Sequence, residues 1–248
     1  MENPNKLKNL ELYKKLYKNY RPSESSIKLF SAVKYFPLIG VSSSGRDSLM
    51  TYLTKKYPIF FDLITTTTRK PRINNGVLER DGVEYHFVQE EQFLEKIENG
   101  EMLEWAVIHN QQLSGSDIKN IQEAAKLNKV IINDVTPDGA IRFEQYSKNV
   151  HPIFIIPPSF GEWQRRMQAR GLLSPEEMSN RMASARHEIQ ESLKLSGTYF
   201  VVNDNLEVAG EEIHEYIVEL NSDMQSTKND SKAREVAEEV LKALENNQ

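Results

Sequence analysis

The stretch Gly40-Val41-Ser42-Ser43-Ser44-Gly45-Arg46-Asp47-Ser48 has the residue types and spacing of an anion cradle. It follows a short apolar run, Tyr35 to Ile39, and precedes a helical pattern with Leu49, Met50 and Leu53 on one face. Two glycines at this spacing, between a strand and a helix, fit the phosphate-loop pattern G-x-x-x-x-G-K-[ST]. In such a loop, backbone N–H groups surround phosphate oxygens and the helix N-terminus adds partial positive charge. Gly40, Ser42, Ser43, Ser44, Gly45, Arg46, Asp47 and Ser48 are therefore candidate phosphate-binding residues. Two side chains depart from the pattern. Arg46 stands at the lysine position, where it keeps the charge but carries a larger planar fork. Asp47 stands at the hydroxyl position that would bind Mg2+, so Asp47 itself, or Ser48 beside it, is the candidate metal ligand. Taken alone, the loop also reads as a serine-rich turn followed by a helix N-cap.

A second cluster is Thr65-Thr66-Thr67-Thr68-Arg69-Lys70-Pro71-Arg72, followed by Asp81-Gly82-Val83-Glu84-Tyr85-His86-Phe87. Two arginines three apart, with hydroxyls just before them, suit an anion clamp, and Tyr85 adds a phenolic donor. The alternative is a solvated, charged loop.

The elements that must position these residues alternate in type. Strands are expected at Tyr35 to Ile39, Phe60 to Thr65, Val130 to Asn133, Val150 to Ile156 and Tyr199 to Val202. Helices are expected at Asp47 to Lys56, Gln89 to Asn99, Asp117 to Asn128, Phe160 to Arg170, Pro175 to Ser192 and Val208 to Leu220. Such alternation implies an α/β fold with a mostly parallel sheet covered on both faces. Before it, residues 1–21 carry six Lys/Arg and two acidic groups, with Leu10, Tyr13, Leu16, Tyr17 and Tyr20 at helical spacing. This reads as an amphipathic helix with a basic face, broken by Arg21 to Ser26. It either packs on the main domain or on a copy of itself, or meets a membrane surface or acidic partner. After it, Asn221 to Ser231 is a polar linker. Ser231 then caps a helix with a narrow apolar seam of Val236, Val240 and Leu244, a weak packing or self-association stripe. The expected organisation is an N-terminal extension over 1–34, a central domain over 35–220, and a linker with a final helix over 221–248.

Composition bounds the rest. The 248 residues carry a net charge of −5, with 31 Lys/Arg against 36 Asp/Glu, so no global basic excess points to nucleic acid. There is no cysteine, which excludes disulfides and thiolate metal sites and fits a cytoplasmic location. No apolar run approaches the roughly 20 residues of a transmembrane helix, and the polar N-terminus lacks the apolar core of a secretory signal.

Read in order, the Thr65–Arg72 segment, the Asp81–Phe87 segment and Gly100-Glu101-Met102-Leu103-Glu104 resemble the guanylate kinase family. That family carries S-x-T-T-R-x-P-R, then D-G-x-D-Y-x-F, then G-E-F-L-E. The resemblance runs from about Tyr35 to about Leu220. It implies a P-loop kinase-like three-layer fold with a small GMP-binding subdomain and a helical lid. It further implies transfer of the ATP γ-phosphate to GMP or a related nucleotide, with Mg2+ as cofactor. Thr65, Arg69, Arg72 and Tyr85 match the residues that hold the GMP phosphate. Glu104 matches the carboxylate that reads guanine, and Asp134, which matches the first aspartate of a D-x-D pair, joins Ser116 in the implied GMP-binding set. Arg166, Arg170 and Arg181 match lid arginines, which join Arg46 as the candidate catalytic set. Asn203 lies in a V-N-D segment expected near adenine. Ser116 falls in the family's Y-G-T/S segment, whose tyrosine aligns with Leu113. Besides Arg46, Asp47 and Leu113, the departures are Thr136, in place of the second aspartate, and a longer Ile73–Arg80 connection. They leave two readings: an active kinase with reduced or altered activity, or a pseudo-kinase that binds a nucleotide or a protein.

Overall fold

The computed structural model describes residues 7–74, 76–108, 110–169, 171, 174–222, 224 and 226–247. The chain runs α1 (Leu10–Asn19), α2 (Glu24–Ser31), β1 (Tyr35–Gly40), α3 (Arg46–Lys56), β2 (Phe60–Asp62), β3 (Thr66–Thr67), β4 (Ile73–Asn74), β5 (Val77–Leu78) and β6 (His86–Phe87). It continues through α4 (Glu90–Glu98), β7 (Met102–Ile108), β8 (Gln112–Asp117), α5 (Ile118–Lys126), β9 (Val130–Asp134), α6 (Pro137–Tyr146) and β10 (Ile153–Ile156). It ends with α7 (Phe160–Ala169), α8 (Pro175–Lys194), β11 (Tyr199–Val202), α9 (Leu206–Asn221) and α10 (Ser231–Asn246). These elements form two compact units. One comprises residues 1–33, 63–129 and 145–148, and the other 34–62, 130–144 and 149–248.

The larger unit is the expected α/β layer structure. Its five strands lie in the order β11-β10-β1-β9-β2, every pairing parallel. Strand side chains alternate between faces, so each strand feeds two cores. Phe36, Leu38, Ile153, Ile155, Tyr199 and Val201 pack with α3 and α9 through Leu49, Leu53, Ile213 and Ile217. Ile39, Phe154, Ile156 and Phe200 pack on the other face with Trp163 and Met167 of α7 and with Ala185 and Ile189 of α8. All these side chains are buried, which explains the unbroken apolar runs in the sequence.

Helix α10 belongs to that second core. Ala233, Ala237, Val240 and Leu244 are buried in it, and Val236 packs against it half-buried. Arg234 fixes its first turn, donating to Asp230 at 2.9 Å with its guanidinium 4.4 Å from the Phe200 ring centre. The seam that the sequence offered for self-association is thus spent inside the same unit.

The smaller unit holds a four-stranded sheet in the order β6-β3-β8-β7. The Phe60–Thr65 strand expected from sequence is divided: β2 pairs in the parallel sheet, and β3 begins at Thr66 in this one. β7 and β8 form an antiparallel hairpin, with an irregular step between Met102 and Glu104. Gly115 makes it possible, since a Cβ there would lie 2.3 Å from the Glu104 carbonyl oxygen and 2.7 Å from Trp105. Trp105, Leu113, Phe93, Ile97 and Met102 form the core, and α1 closes it. Tyr13 is buried there, and the rings of Tyr17 and Tyr20 meet Trp105 edge-on at 5.4 and 5.8 Å. The apolar face of the N-terminal helix is therefore used within its own unit. The break expected at Arg21–Ser26 is present, since α1 ends at Asn19, but it is shorter: α2 starts at Glu24, where Ser23 accepts the Ser26 N–H at 3.2 Å as an N-cap.

Candidate functional site

In the larger unit, β1 delivers the loop that follows it. Gly40 leaves no room for a side chain, since a Cβ would lie 2.3 Å from the Ile155 carbonyl oxygen. Ser43 (φ 65°) and Gly45 (φ 95°) are left-handed, and the alternation curls the loop into a concavity that favours anions. Gly45 is the N-cap of α3, so the unpaired N–H groups of that helix's first turn open beside it. Three loop carbonyls are held by donors. Val41 accepts the Ser44 N–H at 3.0 Å, Ser42 accepts the Trp163 indole N–H at 3.0 Å, and Ser44 accepts the Asn203 amide at 2.7 Å. The hydroxyls of Ser43 and Ser44 are buried without a hydrogen-bond partner among the described residues. Two unmet hydroxyls in a cradle of this shape are what a phosphate group would satisfy. A cavity of about 340 Å³ opens here, lined by Ser43, Gly45, Ser48, Arg166, Asn203 and Asp204.

The side chains around the loop differ from expectation. Arg46 turns to the end of β9, where it pairs with Asp134 at 2.5 Å and reaches the Val135 carbonyl at 3.3 Å. Two residues that the sequence assigned to separate tasks, Arg46 to catalysis and Asp134 to GMP, thus form one ion pair. Burial raises the Asp134 carboxyl; Arg46 opposes that shift and Asp47 adds to it. Asp62, at the end of β2, is exposed as a residue, but the protein around its carboxyl and then Asp134 push it up to about 6. Glu188 on α8 is pushed up to about 7, first by burial, and Asp134 adds to the shift while Arg46 counters it. Asp62 and Glu188 were not singled out from sequence, because only the fold gathers them near Asp134.

Asn203 is 5% exposed and pins the loop backbone while lining the loop cavity. Arg181 donates to the Ser42 hydroxyl at 3.2 Å. Arg166 pairs with Glu162 at 2.7 Å while lining the loop cavity. Arg170 lies outside the described residues. Asp47 and Ser48 are exposed in the first turn of α3. Among the described residues no group of three or more His, Cys, Asp or Glu is arranged to hold a metal ion.

The smaller unit carries the second candidate anion site. One face of its sheet is polar and is built by cross-strand pairs. Thr67 opposes Ser114, with their hydroxyls 2.8 Å apart, and Glu104 opposes Ser116, whose hydroxyl donates to Glu104 at 3.2 Å. The other face carries Trp105 and Leu113 into the core. This alternation corrects the reading of Leu113. It is fully buried, and Ser114 is the residue facing the polar side.

Thr65 leads directly into β3, and Arg69 and Arg72 follow it. Arg69 is locked. Glu79 takes both arms of its guanidinium, at 2.8 and 3.0 Å, and accepts the Arg72 N–H at 2.8 Å. The two side chains are 10% and 6% exposed, so this is a buried bidentate pair. The Arg69 guanidinium also sits 4.8 Å from the Tyr85 ring centre, within cation–π range. Asp81 shapes the Tyr85 turn by accepting the Phe87 N–H at 2.8 Å. Glu79 was missed in the sequence because it lies in the lengthened connection, where no spacing marks it. The remainder of that connection forms the small β4–β5 ribbon, whose Ile73, Val77 and Leu78 are exposed.

Comparison with known proteins follows this geometry. A family model described as guanylate kinase matches residues 33–220. The guanylate kinase of Helicobacter pylori (strain ATCC 700392 / 26695) is 35% identical over 174 residues, covering 70% of this chain and 81% of the relative. Guanylate kinase 1 of Arabidopsis thaliana is 33% identical over 180 residues, covering 71% of this chain and 45% of that longer protein. The crystal structure of guanylate kinase from Anaplasma phagocytophilum superposes with a TM-score of 0.56 at 25% identity, covering 83% of this chain and 94% of the other.

Proposed function

The chain belongs to the guanylate kinase family, and we propose that it transfers the γ-phosphate of ATP to GMP or a closely related nucleoside monophosphate. The observation that carries this reading is the pair of built anion sites, one in each unit. The loop after β1 offers the unmet Ser43 and Ser44 hydroxyls and the first-turn amides of α3 to the ATP phosphates. The second site offers Arg69, Arg72, Tyr85 and Thr65 to the phosphate of the acceptor. Glu104, supported by Ser116, accepts hydrogen bonds from the guanine edge, and a base without those donors forfeits them.

Phosphoryl transfer needs positioning and charge neutralisation more than covalent chemistry. Arg166 and Arg181, both bonded within the unit that holds the loop, are the candidates for stabilising the migrating phosphoryl group, together with Arg46 once it leaves Asp134. The oxygen donors of Asp47 and Ser48 suit Mg2+, and two such ligands are what an ion arriving with nucleotide phosphates requires. When bound, Mg2+ supplies charge neutralisation across the β- and γ-phosphates. Each terminal helix packs within its own unit, and the chain's composition suits the cytoplasm.

A second reading is favoured by one observation. Arg46 is engaged by Asp134, and Asp47 adds negative charge to the loop, so the chain could bind a nucleotide and turn it over slowly. Incubation with ATP, Mg2+ and a panel of nucleoside monophosphates, with ADP release as the readout, separates the two. Turnover with GMP supports the kinase. No turnover with any acceptor, alongside GMP binding by calorimetry, overturns the kinase reading in favour of a binding module. Restoring Arg46→Lys and Asp47→Ser together raises the rate if the loop is what slows it.

A further inference from the structure

A loop that cradles phosphate must turn its amides inward and its carbonyls outward, and each outward carbonyl needs a donor of its own. In this chain the donors for Ser42 and Ser44 come from outside the loop. The Asn203 amide, just beyond β11, holds Ser44 at 2.7 Å. The indole N–H of Trp163, one turn into α7, holds Ser42 at 3.0 Å. Trp163 is fully buried, stacked on Phe160 and packed among Ile39, Phe154, Phe200 and the apolar side of α10. Its ring therefore cannot swing away, and the N–H is aimed by the core. Ser42 is bonded a second time by the lid helix α8, where Arg181 donates to its hydroxyl at 3.2 Å. Ser42 is thus the residue through which both helices α7 and α8 reach the phosphate loop.

We propose that Trp163 is a positioning residue for ATP binding: its indole N–H fixes the Ser42 carbonyl so that the loop's amides stay turned toward the phosphates. The proposal rests on the loop being the ATP site. It makes Trp163 more than a core side chain, because a phenylalanine, though smaller, would keep an aromatic ring in the core while leaving the Ser42 carbonyl without its donor. The second indole of the chain supplies a control. Trp105 is buried in the other unit and its N–H has no hydrogen-bond partner among the described residues.

The test is isothermal calorimetry of the full chain with MgATP and, separately, with GMP, on the wild type and on Trp163→Phe. Loss of one hydrogen bond of ordinary strength corresponds to a change of about fivefold to tenfold. The expected result is a dissociation constant for MgATP raised by about that factor, with the constant for GMP unchanged. A second measurement replaces both tryptophans with 3-benzothienylalanine, which keeps the ring shape and removes the N–H. Only the bond at Ser42 is lost by that exchange, so the same selective weakening of MgATP is expected. It also serves where Trp163→Phe fails to fold. Unchanged MgATP affinity in either protein overturns the proposal, as does a parallel loss of MgATP and GMP affinity. The functional reading fails separately. Wild type that binds MgATP without turnover overturns the kinase and leaves this inference standing, whereas wild type that binds no MgATP overturns both.

Discussion

The two candidate anion sites are built on opposite plans. In the smaller unit the arginine is prepared: Glu79 and the Lys70 carbonyl fix Arg69 in a buried pair over the Tyr85 ring and leave only its remaining guanidinium N–H groups for an anion. In the larger unit the backbone is prepared and the arginine is withheld, because Trp163 and Asn203 hold the loop while Arg46 is drawn to Asp134. A side chain fixed by burial loses little entropy when an anion arrives. A side chain held by a half-exposed carboxylate must first be released. The contrast separates two ways of presenting positive charge: as an immobile guanidinium, or as fixed backbone dipoles with a mobile charge beside them.

Four experiments test that contrast. The largest effect is expected from Arg69→Ala, which should lower kcat/KM for GMP by a hundredfold to a thousandfold in a steady-state assay. A drop of less than tenfold would mean that the prepared arginine is not the acceptor clamp. Next, Glu79→Ala leaves a buried guanidinium without its partner. It should cost about 3 kcal/mol in denaturant unfolding and raise KM for GMP more than it lowers kcat. Arg46→Ala should be milder, about tenfold in kcat with little effect on MgATP binding, because the backbone carries the cradle. If MgATP binding collapses in that variant, the backbone is not enough.

The smallest effect concerns pH. Glu188 titrates near 7 when folded and in the ordinary carboxylate range when unfolded. The folded state then binds more protons than the unfolded state between about pH 4.5 and 7, so stability falls as pH rises through that window. Glu188→Gln should leave the midpoint of thermal unfolding nearly unchanged at pH 4 and raise it at pH 8. Equal midpoints at pH 8 would show that folding does not raise this carboxyl.

Much of the plan is legible in the residues. The strands of the parallel sheet announce themselves as apolar runs because both faces are covered, and the loop, the arginine pair and Glu104 stand at telling spacings. What escapes is of two kinds. Some signals have two meanings. Ser23-Glu24-Ser25-Ser26 reads as a breaker and acts as a helix start, and Leu113 reads as a substituted site residue although the alternation along β8 sends it to the core. Other features exist only after folding. Nothing near Arg46 in sequence indicates Asp134, nothing marks Glu79 as the partner of Arg69, and Trp163 looks like one more apolar residue until its N–H meets Ser42. Local patterns report local physics, while the direction of a long side chain is decided by groups tens of residues away.

Helix α10 has a practical corollary. The family match ends at residue 220, yet Ala233, Ala237, Val240 and Leu244 cover Trp163, Met167, Ile189 and Phe200. A protein cut at Leu220 would keep every matched residue and still leave an apolar wall open to water, beside the indole that supports the phosphate loop. Such a fragment should clump or bind detergent, and its nucleotide affinity should suffer first. The boundary drawn by common descent and the boundary drawn by packing fall at different residues, and anyone trimming this chain has to follow the second.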